Sequence, residues 1–195
     1  LLYAQMGDFD TSLSMAKEAV RIKPKDLTYN NHLLGLYKTA GDGEAIVQTL
    51  NNLLEYYPNS PVILREKILM LHAAGQSEQA LVVYDDATKL IGESDTLDIV
   101  KAEVLIDLDR FKEAKVLLEK WYRQRSPIRD VYGTLAFVQN KLGQRKQAIE
   151  VVETGLSITK NPLLYFDLAD IYTSQKKPQR AFDALSTALN SVDIT

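Results

Sequence analysis

The chain has 195 residues, no cysteine and a formal net charge of −3 at neutral pH. Without cysteine it forms neither disulfides nor thiolate metal sites. The slight acidic excess argues against a general binder of nucleic acid, which usually carries a clear basic excess. No apolar run approaches the roughly 18 residues of a transmembrane helix, so we expect no membrane insertion within this segment.

Glycine recurs along the chain at a fixed interval. Gly7, Gly41, Gly75 and Gly143 are separated by 34 residues or a multiple of 34, and Asp109 occupies the one skipped place. A fixed period of this length is typical of stacked copies of one supersecondary unit. We therefore interpret the whole chain as a single array. Its predicted boundaries are a partial repeat at 1–26, then repeats at 27–60, 61–94, 95–128, 129–161 and 162–195.

In chain order, the boundary signals predict about eleven helices, counting a partial one at Leu1–Met6. Each recurrent glycine is predicted to end the first helix of a pair, where a left-handed residue is favoured. Second helices are predicted to begin beside a capping side chain, at Asp8, Asp42 and Ser77. Three first helices are predicted to begin with a cap followed by proline, at Ser60–Pro61, Ser126–Pro127 and Asn161–Pro162. No segment predicts a β-strand.

Small residues recur at two places in the second helix of each repeat. Position 20 of the repeat includes Ala80, Ala114, Ala148 and Ala181, and position 27 includes Ala19, Ala87, Gly155 and Ala188. These positions share one helical face with position 24, so small side chains there let neighbouring helices approach closely. Trp121 occupies position 27 of the fourth repeat. We therefore expect the joint between the fourth and fifth repeats to be spread or twisted.

The repeat resembles a known family pattern. Tyr165-x-x-Leu168-Ala169-x-x-Tyr172, followed by Ala181-x-x-x-Leu185, is similar to the tetratricopeptide repeat (TPR). Tyr132-x-x-Leu135-Ala136 with Ala148-x-x-x-Val152 is a second copy, and Gly7-Asp8-Phe9 through Pro24 matches a third from its midpoint. The resemblance covers essentially the whole chain. It implies an all-α solenoid of antiparallel helix pairs, wound as a right-handed superhelix whose inner face is lined by the first helices.

Catalytic and cofactor signals are absent from the sequence. The two histidines, His32 and His72, have no partner at metal-ligand spacing, and we expect both on solvated helix faces. No glycine-rich phosphate-binding loop is present. We therefore predict a protein that is not an enzyme and has no cofactor or metal.

Charge is distributed unevenly in the middle of the chain. Residues 93–109 contain six acidic side chains against Lys101, and residues 110–129 contain seven basic ones against Glu113 and Glu119. One interpretation is a bipolar patch that orients a charged partner. The other, which we favour, is that the basic residues stabilise a helix C-terminus through its dipole while the acidic ones are solvated.

The resemblance implies which positions of the first helices face the groove. These are Asn31, Lys38, Thr39, Arg65, Leu69, His72, Ile99, Glu103, Asp107, Phe137, Asn140, Lys141, Phe166, Asp170 and Thr173. Family members that clamp the carboxylate of chaperone tails use Lys and Asn at two of these positions. The corresponding pairs here are Asn31 and Gly35, Arg65 and Leu69, and Ile99 and Glu103, so the clamp is absent.

Four of these groove positions are apolar: Leu69, Ile99, Phe137 and Phe166. If exposed, they suit an extended or helical peptide with apolar anchors. The alternative is that some of them belong to the core between repeats.

The leading functional hypothesis is a scaffold that binds a peptide segment or partner domain in its concave groove. The alternative is a structural segment of a larger complex, docking through its ends or convex face. Leu1, Leu2 and Tyr3, and the stripe Ala181, Leu185, Ala188 and Leu189, predict apolar ends that pair with another copy or continue into further repeats. The repeats resemble exported bacterial TPR proteins, which predicts a periplasmic or envelope location, with a cytoplasmic adaptor as the alternative.

Overall fold

The computed structural model describes residues 8–192, and this part of the chain is helical with no β-strand. Its helices are α1 (Phe9–Ile22), α2 (Leu27–Ala40), α3 (Gly43–Tyr56), α4 (Pro61–Ala73), α5 (Ser77–Ile91), α6 (Asp95–Asp107), α7 (Phe111–Arg123), α8 (Arg129–Lys141), α9 (Arg145–Thr159), α10 (Leu164–Ser174) and α11 (Pro178–Val192). The predicted all-α helical-repeat class is confirmed. The helix predicted at Leu1–Met6 lies outside the described residues, which contain eleven helices without it.

The chain folds as two compact units, Leu1–Gly92 and Glu93–Thr195. In the first unit, consecutive helices from α1 to α5 pack on one another. In the second unit, α6 packs on α7, α8 on α9 and α10 on α11. The first helices of this unit also contact each other, α6 with α8 and α8 with α10. The helix pair is therefore the packing element, and within the second unit the first helices lie side by side.

The turn inside each pair uses a left-handed residue. Gly41, Gly75 and Gly143 have φ of 70°, 75° and 77°, which confirms that these three recurrent glycines end first helices. Gly7 lies outside the described residues. Asp109 takes the same conformation with φ of 58°, and Lys176 does so in the last repeat with φ of 55°. Aspartate visits this region more readily than most residues with a Cβ, so the skipped place in the glycine series keeps the same turn.

Three of the predicted helix caps are confirmed. The Asp8 carboxylate accepts a hydrogen bond from the Thr11 backbone N–H at 3.0 Å. Asp42 does the same for the N–H of Ala45, also at 3.0 Å. Ser60 caps α4, which begins at the predicted proline.

Three other predicted caps are wrong. Ser77 lies inside the first turn of α5, and its Oγ is 2.8 Å from His72 Nδ1. Helices α8 and α10 begin two residues later than the predicted prolines, because Ser126 and Asn161 form turns ahead of the helix instead. Ser126 Oγ accepts from the Ile128 N–H, and Asn161 Oδ1 accepts from the Leu163 N–H. Such local bonds from short polar side chains compete with capping geometry.

The small positions of the second helices lie in the core. Ala80, Ala114 and Ala148 are fully buried, and Ala181 is nearly so. The apolar stripe predicted along α11 is therefore divided: Ala181 and Ala188 are buried, whereas Leu185 and Leu189 are exposed, together with Phe182. The exposed stripe of α11 is thus Phe182, Leu185 and Leu189.

At the same contact between the two helices of a repeat, the larger residue is on the first helix in one repeat and on the second helix in the repeat before it. Tyr132 in α8 is fully buried against Gly155 in α9, and a Cβ added to Gly155 would lie only 2.6 Å from Tyr132 Cγ. In the preceding repeat the large residue is on the second helix instead. Trp121 there donates a hydrogen bond from Nε1 to Asp98 Oδ2 at 2.6 Å. The volume of Trp121 is therefore accommodated inside its own helix pair, opposite a smaller residue.

The acidic and basic runs are joined by ion pairs. Asp98 is fully buried, so the expectation that the acidic residues of this run are solvated is wrong for it. Lys120 Nζ lies 2.6 Å from Asp98 Oδ2 and 3.2 Å from Glu93 Oε1. Burial alone would lower the pKa of Lys120, but these two carboxylates outweigh it and raise the pKa.

Arg110, just before α7, and two further basic residues on α7 form ion pairs with glutamates of the same helix. Arg110 pairs with Glu113 at 2.6 Å, and Lys115 pairs with Glu119 at 3.4 Å. Arg123 also reaches Glu119, at 3.5 Å. Lys120 and Arg123 lie in the last turn of α7, as the dipole interpretation requires. These contacts favour local pairing over a bipolar patch.

We predict that Gly155→Ala destabilises the protein by about 1–2 kcal/mol, because overpacking against Tyr132 outweighs the gain in helix propensity. The matched control is Gly35→Ala in α2, where an added Cβ meets no atom within 4 Å. That substitution is expected to stabilise by about 0.5–1 kcal/mol. Urea denaturation followed by circular dichroism measures both. Equal effects of the same sign would show that Tyr132 does not pack on Gly155.

We also predict that Lys120→Met lowers the unfolding free energy by about 3 kcal/mol, because it removes the cation beside a fully buried carboxylate. Lys112→Met is the control, since Lys112 is an exposed lysine on the same helix. It is expected to change stability by less than about 0.5 kcal/mol. The same denaturation experiment distinguishes the two. A Lys120 variant as stable as the control would mean that the ion pair contributes nothing to folding.

Candidate functional site

The first helices of the second unit present one continuous surface. Gly133 of α8 lies beside Asp167 of α10, and Ser174 Oγ donates to Asn140 Oδ1 at 3.0 Å. A residue of α8 therefore lies next to the residue 34 positions later in α10. We call this surface the first-helix face. It is formed by Glu103, Asp107, Asp130, Phe137, Asn140, Lys141, Leu163, Phe166, Asp170 and Thr173.

Two phenylalanines are exposed on the first-helix face. The exposed fractions of Phe137 and Phe166 are 43% and 41%, large values for aromatic side chains on packed helices. In the register just described Phe166 is level with Tyr132, so Phe137 lies about 7 Å further along the helix direction. Lys141 Nζ lies 5.2 Å from the centre of the Phe137 ring. The face thus offers two apolar contact points, one of them beside a cation.

An ion pair joins α8 and α10 near Phe166. Arg129 binds Asp167 at 2.5 Å and Asp130 at 3.2 Å. Gly133 makes room for it, since an added Cβ would lie 3.1 Å from Asp167 Oδ2 and 3.2 Å from Arg129 Cζ. Burial raises the pKa of Asp167; Arg129 opposes the rise, and the carboxylates of Asp170 and Asp130 add to it. Two carboxylates therefore contact one guanidinium, and the charge of a third, Asp170, acts on Asp167.

The predicted groove residues of the first unit lie on α2 and α4. Asn31 and Lys38 are exposed on α2, whereas Leu69 and His72 are half-buried on α4. Lys38 Nζ lies 2.9 Å from Glu66 Oε2. Arg65 reaches the other oxygen of the same carboxylate at 3.3 Å. Lys38 and Arg65 therefore both bind Glu66, which is not one of the predicted groove residues.

The prediction that Ile99 is an exposed groove anchor is wrong. Its exposed fraction is 5%, and it belongs to the core of the second unit with Ala102 and Val131. Helix α6 is buried on almost every side, including four consecutive residues from Leu97 to Val100. A helix buried all round has no single inward stripe, so carrying family positions onto α6 fails for Ile99. Glu103, one turn later, is half-buried.

The structure also differs from the sequence prediction in the burial of the two histidines and in three site residues that were not predicted. His32 and His72 are half-buried rather than fully solvated. Arg129, Gly133 and Asp167 were missed. Their signal in the sequence is a basic residue in one first helix with an acidic residue 38 positions later in the next.

Neither metal-binding nor membrane-spanning features occur within residues 8–192. No cluster of three or more His, Cys, Asp or Glu side chains there is arranged to hold a metal ion. Helices in the same range are all too short or too polar to cross a bilayer.

Solved structures of similar fold include tetratricopeptide repeat proteins. A tetratricopeptide repeat protein from Parabacteroides merdae is 17% identical, with a TM-score of 0.71 over 97% of this chain and 74% of its own. PilW, described as a widely conserved type IV pilus biogenesis factor, is 13% identical, with a TM-score of 0.69 over 99% and 90%. YrrB, described as a TPR protein with an unusual peptide-binding site, is 12% identical, with a TM-score of 0.55 over 90% and 91%.

At these identities the likeness shows the fold alone. A comparison with curated proteins finds no match. The sequence model of the tetratricopeptide repeat matches residues 46–193, which is more than half of the chain. The same helix pairs, left-handed turns and small contact positions were found above in the described residues. The chain belongs to the tetratricopeptide repeat family.

Proposed function

We propose that the chain is a non-enzymatic scaffold that holds an extended or helical peptide segment of a partner protein on the first-helix face. The tetratricopeptide repeat fold implies a protein–protein interaction scaffold. The observation that carries the finer proposal is the exposure of Phe137 and Phe166 on adjoining helices. Covering the exposed part of each ring contributes about 1 kcal/mol.

Rigidity of the surface supports the same conclusion. The Arg129–Asp167 ion pair and the Ser174–Asn140 hydrogen bond each join α8 to α10, the first near Phe166 and the second about one turn beyond Phe137. A surface held in one conformation loses less entropy when a flexible peptide binds to it. Helix-lined surfaces with regularly spaced apolar anchors are a recurring way of binding peptides.

The test uses pools of fluorescent peptides of about 12 residues with Phe, Leu or Ile at fixed positions and Ser or Gly elsewhere. Phe137→Ser combined with Phe166→Ser is expected to weaken binding roughly tenfold, since two apolar contacts are lost. The thermal unfolding midpoint should change little, because both rings are already partly in water. Fluorescence anisotropy measures the affinity.

Val116→Ser is the matched control, because Val116 is 72% exposed on α7, outside the first-helix face. This variant is expected to bind the pool as the unmodified protein does. Unchanged binding by the double phenylalanine variant would remove the first-helix face as the peptide site.

A second candidate function, assembly into a larger complex, is favoured by the exposed stripe of α11. Phe182, Leu185 and Leu189 are 64%, 37% and 62% exposed, and their spacing places them on one helical face. Leu118 in α7 and Val152 in α9 occupy the place of Leu185 in their own repeats, and both are fully buried. Helices α7 and α9 each pack on the first helix that follows.

In this alternative, a second copy of the chain covers the α11 stripe. A periplasmic or envelope location, with a cytoplasmic one as the alternative, stays a prediction.

Sedimentation velocity across a hundredfold range of concentration tests the assembly function. We expect association that increases with concentration, as for other uncovered apolar stripes. Replacing Leu185 and Leu189 with Gln should abolish it, whereas Val116→Gln should not. A monomer at every concentration would exclude self-association through this stripe.

A further inference from the structure

The first-helix face carries an excess of negative charge. On α8 and α10 its charged side chains are the carboxylates Asp130, Asp167 and Asp170 and the cations Arg129 and Lys141. Three acidic groups against two basic ones leave this part of the face acidic.

Neither of the two cations forms an ion pair with Asp170. Arg129 is engaged by both Asp130 and Asp167, within 3.2 Å of each. Lys141 lies over Phe137, further along the helices. Asp170 is one turn after Phe166 on the same side of α10, is exposed, and forms no ion pair within residues 8–192. An aromatic ring and a carboxyl group are therefore presented together to solvent.

We propose that the partner segment places a lysine or arginine side chain between Phe166 and Asp170, next to its apolar anchors. This inference rests on the function proposed above and specifies the partner of that same face. A cation above an exposed aromatic ring is attracted by the ring's quadrupole, and a neighbouring carboxylate adds a charged partner. The raised pKa of Asp167, to which Asp170 and Asp130 contribute, is consistent with a local excess of negative charge that an incoming cation relieves.

The same charges disfavour other classes of partner. A nucleic acid would bring phosphates close to the carboxylates of Asp130, Asp167 and Asp170, and binding to phosphate requires uncommitted basic groups. An acidic peptide would meet the same repulsion. Complementary charge, by contrast, raises the rate of association and fixes the register of the bound segment.

The experiment compares three pools of peptides of about 12 residues that share the same apolar positions. Their remaining positions are Lys or Arg in the first pool, Ser or Gly in the second, and Asp or Glu in the third. The basic pool is expected to bind roughly tenfold more tightly than the Ser/Gly pool, and the acidic pool more weakly than both. Raising salt from about 50 to about 300 mM should shrink these differences, because exposed charges are screened.

Asp170→Asn is expected to reduce the ratio of affinities between the basic and Ser/Gly pools severalfold. The matched control is Glu153→Gln, which removes one charge from an exposed position on the second helix α9. It should leave that ratio unchanged.

The outcomes separate this inference from the proposed function. Equal affinity for all pools, or tighter binding of the acidic pool, would overturn the basic partner. If, in that case, Phe137→Ser with Phe166→Ser still weakened binding, the proposed function would stand without the basic partner segment. If the unmodified protein bound every pool no more tightly than this double variant, both the basic partner and the proposed function would be overturned.

Discussion

The distance between the two helices of a repeat is set by one pair of facing residues, and much of the second unit depends on it. Gly155 lets α9 lie directly against the Tyr132 ring. The Tyr132 hydroxyl then donates to the Ser126 carbonyl at 2.7 Å, which fixes the turn that leads into α8. Arg129 is the first residue of that helix, so its reach to Asp167 follows from this packing.

The first-helix face combines apolar exposure with charge. Polar side chains join its neighbouring helices, as in the Arg129–Asp167 pair and the Ser174–Asn140 hydrogen bond. Because these bonds hold the two helices together, Phe137 and Phe166 are displayed in a fixed relation. The interaction surface consists of the side chains that remain exposed after the helices have packed.

The helical repeat and its turns could be predicted from the sequence because they depend on spacing and on local backbone preference. Glycine at 34-residue intervals identified the left-handed turns, and Asp109 kept the same conformation in the gap. Asp8 and Asp42 were correct as caps because a carboxylate beside the first turn has few competing partners. Ser126 has such a partner, since its hydroxyl donates to Asp95 at 3.1 Å, and the cap prediction there was wrong.

The candidate site was predicted only in part because spacing does not show how deeply a helix is buried. Phe137 and Phe166 are exposed as expected, whereas Ile99 has the same apolar character and lies in the core. The difference arises from α6, which neighbours cover on nearly all sides. The buried Asp98 with Lys120 and Trp121 was also beyond reach, because each residue alone is typical of a helix surface or a helix core. Only their contact shows that they belong together.

The large residue of the helix contact lies on different helices in two neighbouring repeats, and this limits which helices can be exchanged between repeats. Asp98 faces Trp121 in one repeat and Tyr132 faces Gly155 in the next, each pair 23 residues apart. Grafting α8 in place of α6 would set a tyrosine against a tryptophan, whereas the reverse graft would leave a hole and an unmatched carboxylate opposite glycine. Whole helix pairs are therefore interchangeable in a chimaera and single helices are not. In related sequences, residues at these two places should change together.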